Sequence, residues 1–219
     1  MSSSVYPILA LDVSTPIAYA CLFSSTKHIF HAQGKMGKQH SQTVLPLLEG
    51  LLKDADITWA DLKLLVLGQG PGSFTGLRIA AASISGINAS LKLPIWGISS
   101  LAITAMQVQS DKIIWVVEDA RAHEIFLGCY QKGIAQKQDV CVHIENLHTP
   151  STPMPYVCNS DFRMPEQNWA HIPCVHDRAH AMSRLIQQNI ENINTQALPT
   201  EVQPVYLQLS QAERQLKHV

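Results

Sequence analysis

Carboxylate and hydroxyl side chains fall together at Asp12-Val13-Ser14-Thr15, a grouping that could hold a phosphate or a hydrated Mg²⁺ ion between two strands. The same residues could instead close a hairpin as an Asx or Ser/Thr turn. A glycine-rich stretch, Gly68-Gln69-Gly70-Pro71-Gly72-Ser73-Phe74-Thr75-Gly76-Leu77-Arg78, follows an apolar run and opens a helical pattern, the setting of an anion site. It is not a P-loop, because Leu77-Arg78 stands where Gly-Lys-Ser/Thr is needed. It is not a dinucleotide fingerprint either, since Ser73 takes the third glycine's place. Gly70, Gly72 and Ser73 therefore join Asp12, Ser14 and Thr15 as a phosphate or structural loop, with shaping of the backbone for a protein contact the favoured role. In Asp119-Ala120-Arg121 the two charges are two apart and share a face if the segment is extended, which suits an internal ion pair or a polar hook. His176 and His180 sit four apart, as helical metal ligands do. They lack a third ligand and read as an exposed helix start, so no metal site is expected.

Those groups are carried by a chain of 219 residues with 46% hydrophobic and 15% charged residues and a formal charge of −1. Disorder requires lower hydrophobicity and higher net charge, so the chain folds. A charged fraction well under the usual ~25% points to surface covered by a partner. Nucleic-acid binders carry a basic stripe, whereas here the nearest cluster is Arg214, Lys217 and His218. Any nucleic acid is thus expected to be held mainly by another chain. The five cysteines contain no CxxC pair. The opening Met-Ser-Ser-Ser-Val-Tyr-Pro has no basic region, and no apolar run reaches the ~18 residues of a membrane span. A cytoplasmic protein without membrane contact is expected.

The elements follow from periodicity. Residues 5–13, 17–23 and 28–34 read as strands. Val44, Leu45, Leu47, Leu48, Leu51 and Leu52 form a helical stripe. Thr43 is the expected cap, because Pro46 then falls in the first turn, where its missing N–H costs nothing. Strands are expected at 64–69 and 94–98 and helices at 75–91 and 99–107. One face of the 75–91 helix is small (Gly76, Ala80, Ser83), which suits close approach by another helix. The hairpin Ile113–Val117, Glu118-Asp119-Ala120-Arg121, Glu124–Tyr130 repeats the layout of the opening, with Asp12 and Asp119 in matching places 107 residues apart. Two α/β lobes follow, 1–107 and 108–219. Residues 133–176 read as loop-rich, with short strands at 155–158 and 171–175. Asp177 caps a helix with core residues Met182, Leu185, Ile186 and Ile190. Residues 191–204 read as a polar linker, and the end as a mobile tail.

The segments ILALDVST, His40-Ser41, GQGPGSFTGLRIAAA, PIWGISSL and VVEDAR, in this order, resemble the TsaB (YeaZ) family of bacterial tRNA threonylcarbamoyladenosine biosynthesis proteins over about residues 6–130. GPGSFTGLR is the most specific of them. The resemblance implies the α/β actin-like ATPase, sugar-kinase and Hsp70 superfold, two lobes with mixed sheets and flanking helices. It also implies a likeness to TsaD, the enzyme that transfers threonylcarbamoyl to the adenosine beside the anticodon. TsaD-type catalysts hold a metal with a His-x-x-x-His pair, whose places fall here on Ser100 and Thr104. Hydroxyls are poor substitutes for imidazole ligands.

A non-catalytic partner of TsaD is therefore implied, joined through the first two helices of each protein, with TsaE associating. ATP and metal are expected on those partners and no cofactor on this chain alone. Transfer RNA is met through the complex, and a homodimer forms when TsaD is absent. Carried onto this chain, the partner surface takes in His40, Leu45, Leu48, Leu52, Phe74, Gly76, Ala80 and Ser83. An ATP-binding or ATP-hydrolysing enzyme is the competing reading, because Asp12, Ser14 and Thr15 keep part of a phosphate loop. A metallopeptidase is a third, set against the missing histidines. Two departures stand out: Gln208 follows Tyr206-Leu207 where the family has Arg, and Ala122-His123 replaces a commoner basic and small pair.

Overall fold

The computed structural model describes residues 5–36, 39–147, 150–164, 168–201 and 203–208. The basic cluster at 214–218 and the expected mobile tail lie outside them. Three strands, β1 (Ile8–Asp12), β2 (Tyr19–Phe23) and β3 (Ile29–Gln33), form an antiparallel meander. Helix α1 (His40–Asp54), strand β4 (Leu64–Gly68), helix α2 (Phe74–Leu91) and strand β5 (Ile95–Ile98) follow. The sheet order is β3-β2-β1-β4-β5, with β1–β4 and β4–β5 parallel. After α3 (Ser100–Ala105) come β6 (Ile114–Arg121), β7 (Glu124–Gln131), β8 (Ile134–His143), β9 (Met154–Val157) and β10 (Trp169–His171), and then α4 (Arg178–Asn189). The second sheet runs β10-β9-β6-β7-β8, with β6–β9 and β9–β10 parallel. The two sheets thus have one topology traced twice. This is the expected α/β arrangement of two mixed sheets with flanking helices.

The duplication corrects the register of the repeat. Ile8 and Ala10 of β1 and Ile114 and Val116 of β6 all face the core between the sheets, where α3 and α4 lie. Continuing both faces by two residues leads to Asp12 and Glu118, so the inward acid of the second hairpin is Glu118. Asp119, one residue on, falls on the other face and is exposed. A one-residue slip in a strand exchanges faces.

Local expectations shift in three other places. Helix α1 begins at His40 with Gln39 as its cap. Pro46 therefore lies inside the helix, and the Thr43 hydroxyl donates to the Gln39 and His40 carbonyls in the turn before it. Within 133–176 the ten-residue strand β8 appears. It was hidden because it is an edge strand exposed along its first half, which erases alternation. β10 lies at 169–171, earlier than its expected place. The segment from 199 is also anchored, with the Ile95 N–H donating to the Pro199 carbonyl and the Val205 N–H to that of Gln69.

One core fills the space between the sheets, built from both of them with α3 and α4. A second lies outside the first sheet, where α1 and α2 cover Leu9, Leu11, Leu22, Leu65 and Leu67. Among the described residues no helix is long and apolar enough to cross a membrane.

Helix α4 is clasped to β3 by histidines. The rings of His31 and His180 stack at 3.8 Å. Asp177 caps the helix and accepts from the His180 N–H and ring. Ser183 donates to the His180 carbonyl, so His31 Nε2 must donate to Ser183 Oγ, at 2.9 Å. Burial, then the neighbouring His180, lowers the His31 pKa, against an opposing pull from Asp177. The unfolded chain, with an ordinary histidine near pH 6.5, binds a proton that the folded chain refuses. His31 therefore adds stability above that pH, and the contribution is lost as pH falls from 6.5 toward the folded value. Urea midpoints at pH 7.5 and 5.5 are expected to fall further for the wild type than for His31→Gln; equal falls would show that the clasp does not titrate.

Candidate functional site

Arg178 is the centre of the interior. It heads the buried stripe of α4, ahead of Ala181, Met182, Leu185 and Ile186, and it is only 2% exposed. The Asp177 cap starts the helix so that the guanidinium enters between the two sheets. Its Nε donates to Asp12 Oδ2 (2.7 Å) and one terminal nitrogen to Thr104 Oγ1 (2.6 Å). The other donates to Ser14 Oγ (3.0 Å) and the Ser100 carbonyl (2.8 Å). The hydroxyls relay these bonds consistently. Ser14 donates to Asp12 Oδ2 and Ser100 to Asp12 Oδ1, while Ser100 accepts from the Gly70 N–H. Thr104 donates to Glu118, which also accepts from the Asn159 N–H. Burial pushes the Glu118 carboxyl up; Arg178 and the two hydrogen bonds pull against it.

The glycines close the loops onto this centre. A Cβ on Gly68 would collide with the Asp12 carboxylate, one on Gly72 with Ser14 and one on Gly76 with the Val13 carbonyl. Gly70 has φ +105, in the left-handed region that favours glycine. The Ser73 N–H donates to the Ser14 carbonyl at 2.8 Å, and Ser73 Oγ caps α2 by accepting from Gly76 N–H. Thr15 bonds back to the Ile17 carbonyl. The two loops are thus packed on each other, and a phosphate seated between them would have to expel either Arg178 or the loop backbone. Ser100 and Thr104 do not fit a metal either, for both hydroxyls are committed and a guanidinium already lies against them. Among the described residues no three His, Cys, Asp or Glu side chains are grouped to hold an ion.

The second hairpin takes a different form from the one expected. Asp119 accepts from the Arg121 backbone N–H at 2.7 Å. Arg121, Ala122 and His123 all have positive φ, so the segment is not extended and the side chains of Asp119 and Arg121 do not stand on one strand face. Gln208 Nε2 donates to the Ala120 carbonyl and to Glu124, tying the end of the described chain to this turn. Elsewhere a cleft of about 220 Å³ adjoins Gln69, Gly70 and Ser99. There Asp139 accepts from Ser99 and Tyr130, and burial, reinforced by Asp139, drives the Tyr130 phenol well above its usual range.

The expected partner surface divides in two. Leu48 (0% exposed), Leu52 (4%) and Ala80 (0%) belong to the chain's own core, and Gly76 is buried against Val13. These four are not available to a partner, because α1 and α2 must turn their apolar and small faces onto the first sheet. Leu45 is 45% exposed; His40, Phe74 and Ser83 are partly exposed. The Phe74 and Tyr206 rings meet at a tilt, 4.8 Å apart, with the Arg78 guanidinium 3.9 Å from the centre of the Phe74 ring.

Sequence reasoning missed Arg178 and Glu118. Its available signal was an arginine at the head of an apolar stripe, directly after a capping aspartate. Removing one partner of a buried ion pair typically costs about 3–5 kcal/mol. Arg178→Met is expected to lower stability by about that amount in urea unfolding, and adding Asp12→Asn to restore part of it. A loss near zero would show that the pair does not hold the sheets together.

The profile of the family described as "TsaD: tRNA N6-adenosine threonylcarbamoyltransferase" matches residues 26–161. The chain is 33% identical to the tRNA threonylcarbamoyladenosine biosynthesis protein TsaB of Buchnera aphidicola, over 58% of this chain and 61% of that protein. It is 34% identical to TsaB of Bacillus subtilis, over 57% of this chain and 55% of that protein. The match thus spans less than two thirds of these relatives' own length. The solved structure of YeaZ from Pseudomonas aeruginosa superposes with a TM-score of 0.74 and 25% identity, over 92% of this chain and 99% of that one. With one topology duplicated about a buried centre and a family match over more than half its length, the chain belongs to the TsaD tRNA N6-adenosine threonylcarbamoyltransferase family and stands with its TsaB/YeaZ members.

Proposed function

We propose that the chain serves threonylcarbamoyladenosine formation in tRNA as a non-catalytic partner of a TsaD-type transferase. The observation that carries this reading is Arg178, which fills the place between the sheets that a catalytic relative of this fold would need for a phosphate or metal. The engagement of Ser100 and Thr104 in that network supports placing ATP and metal on the partners, TsaD and an associating TsaE, rather than at this centre. The tRNA is reached through the assembly. The TsaB names of the relatives support the pathway, and the TsaD family match supports a TsaD-linked complex.

Contact with TsaD is made by the outward sides of α1 and α2, through Leu45, Phe74, His40 and Ser83, and the same sides pair two copies of the chain when TsaD is absent. Clustered aromatic, arginine and aliphatic side chains are what interface hot spots use, and Phe74, Arg78 and Tyr206 supply such a cluster.

Reconstituted tRNA threonylcarbamoylation, with the chain present and then omitted, tests the reading. Activity is expected to vanish on omission, while the chain alone shows none. Leu45→Arg is expected to weaken TsaD binding at least about tenfold, or 1.4 kcal/mol, with unchanged circular dichroism, whereas Leu48→Arg loses the fold. Full activity without the chain, or turnover by the chain alone, would overturn the proposal.

A further inference from the structure

The cleft beside Gln69 and Ser99, about 220 Å³ in volume, lies where the two sheets meet. The loop after β4 lines it from the first sheet and β8 from the second, and Val205 and Leu207 add apolar surface. Asp139 is part of this lining and is half-buried. Its carboxylate accepts from the Ser99 hydroxyl at 2.6 Å and from the Tyr130 phenol at 2.6 and 2.7 Å. Both donors are neutral. Among the described residues the ion pairs are Lys132–Asp111, His143–Glu145, Arg178–Asp12 and His180–Asp177, so no cation balances Asp139. Lys137, two residues before it, stands over the Trp115 ring instead.

The cleft adjoins the surface proposed above for a partner. The Val205 N–H is anchored on the Gln69 carbonyl at 2.7 Å, and the next residue, Tyr206, meets the Phe74 ring. Val205 and Tyr206 are 40% and 43% exposed. A partner seated on Phe74, Arg78 and Tyr206 thus borders the cleft and takes Asp139 further out of water. A carboxylate moved that way needs a cation or further donors. An anion would be opposed by the Asp139 charge, and a purely apolar group would remove its water without replacing it. At about 220 Å³ the cleft is smaller than the ~300–1,000 Å³ of most small-molecule pockets, which suits a single side chain. Arginine and lysine carry an aliphatic stem behind a charged head, and Val205 and Leu207 offer that stem a wall.

We infer that this cleft receives a basic side chain of the TsaD-type partner, its charged head on Asp139 and its stem along Val205 and Leu207. The inference rests on the partnership proposed above and adds the class of residue that the partner must supply.

Calorimetric titration of the full chain and its variants with purified TsaD, at about 50 mM and about 500 mM salt, tests this. Asp139→Asn keeps a carbonyl acceptor for Ser99 and Tyr130. It is expected to bind TsaD at least about tenfold more weakly at the lower salt, with a smaller difference at the higher. Gln138 is exposed on the same wall and gives a second readout that leaves the Asp139 hydrogen bonds in place, should Asp139→Asn lose the fold by circular dichroism. Gln138→Lys sets a competing cation beside Asp139 and is expected to weaken binding, whereas Gln138→Glu is expected to leave it equal or tighter. Equal losses in the two Gln138 variants would mark a steric effect and overturn the assignment, as would wild-type affinity in a folded Asp139→Asn or in Gln138→Lys. If Leu45→Arg weakens binding and Asp139→Asn does not, the cleft assignment fails and the partnership stands. A wild-type chain that does not bind TsaD overturns both.

Discussion

The ion pair of Arg178 with Asp12 constrains most of the interior. A guanidinium taken out of water needs a carboxylate and further acceptors around it, and five segments supply or support them: the end of β1, the turn after it, α3, β6 and the loop into α2. Each must present a polar atom at a fixed place, so each is held at a fixed distance from the others. The glycines are part of the same requirement. Gly68 leaves room for the Asp12 carboxylate, while Gly72 and Gly76 let the second loop lie directly on the first. A salt bridge of this kind need not add stability over a well-packed apolar core; what it fixes is the relative placement of the two sheets.

That placement is reinforced from two sides. The histidine clasp holds the first turn of α4 on β3, next to the residue that supplies the guanidinium. The segment 199–208 crosses from β5 and the end of β4 to the β6–β7 turn, ending on Gln208. An arginine there, as the resemblance implies for relatives, would make a charge-assisted bond with Glu124, stronger than the neutral amide makes. The sheets are duplicated in topology and unequal in surface. The first is covered on both faces by helices, and the outward side of those helices is free for a partner. The second is covered on its outer face by irregular chain.

Much of this was legible in the residues. Apolar runs and helical stripes located β2, β3, β4, β5 and α2 to within a residue or two, and Asp177 was readable as the cap of α4 because capping is local chemistry. The motif GPGSFTGLR carried the family. The edge strand β8 was not legible, since exposure on both faces removes the alternation that marks a strand. The cap of α1 was misplaced because Pro46 is tolerated inside the helix, at a cost that its apolar face on the sheet outweighs. Asp119 was taken for Glu118 because sequence similarity aligns letters, while facing is decided by register.

The sequence by itself determined most of the elements, the existence of the duplicated hairpin and the family, all of which rest on short-range patterns or on a contiguous motif. Only the tertiary structure decided which residues do the work. Arg178 lies 166 positions from Asp12, and no local rule connects them; the buried leucines of α1 and the exposed Leu45 are alike in composition and differ only in which way the helix turns. Pairing, burial and the direction of a helix face are set by what the chain folds against, and that information is spread over the whole molecule.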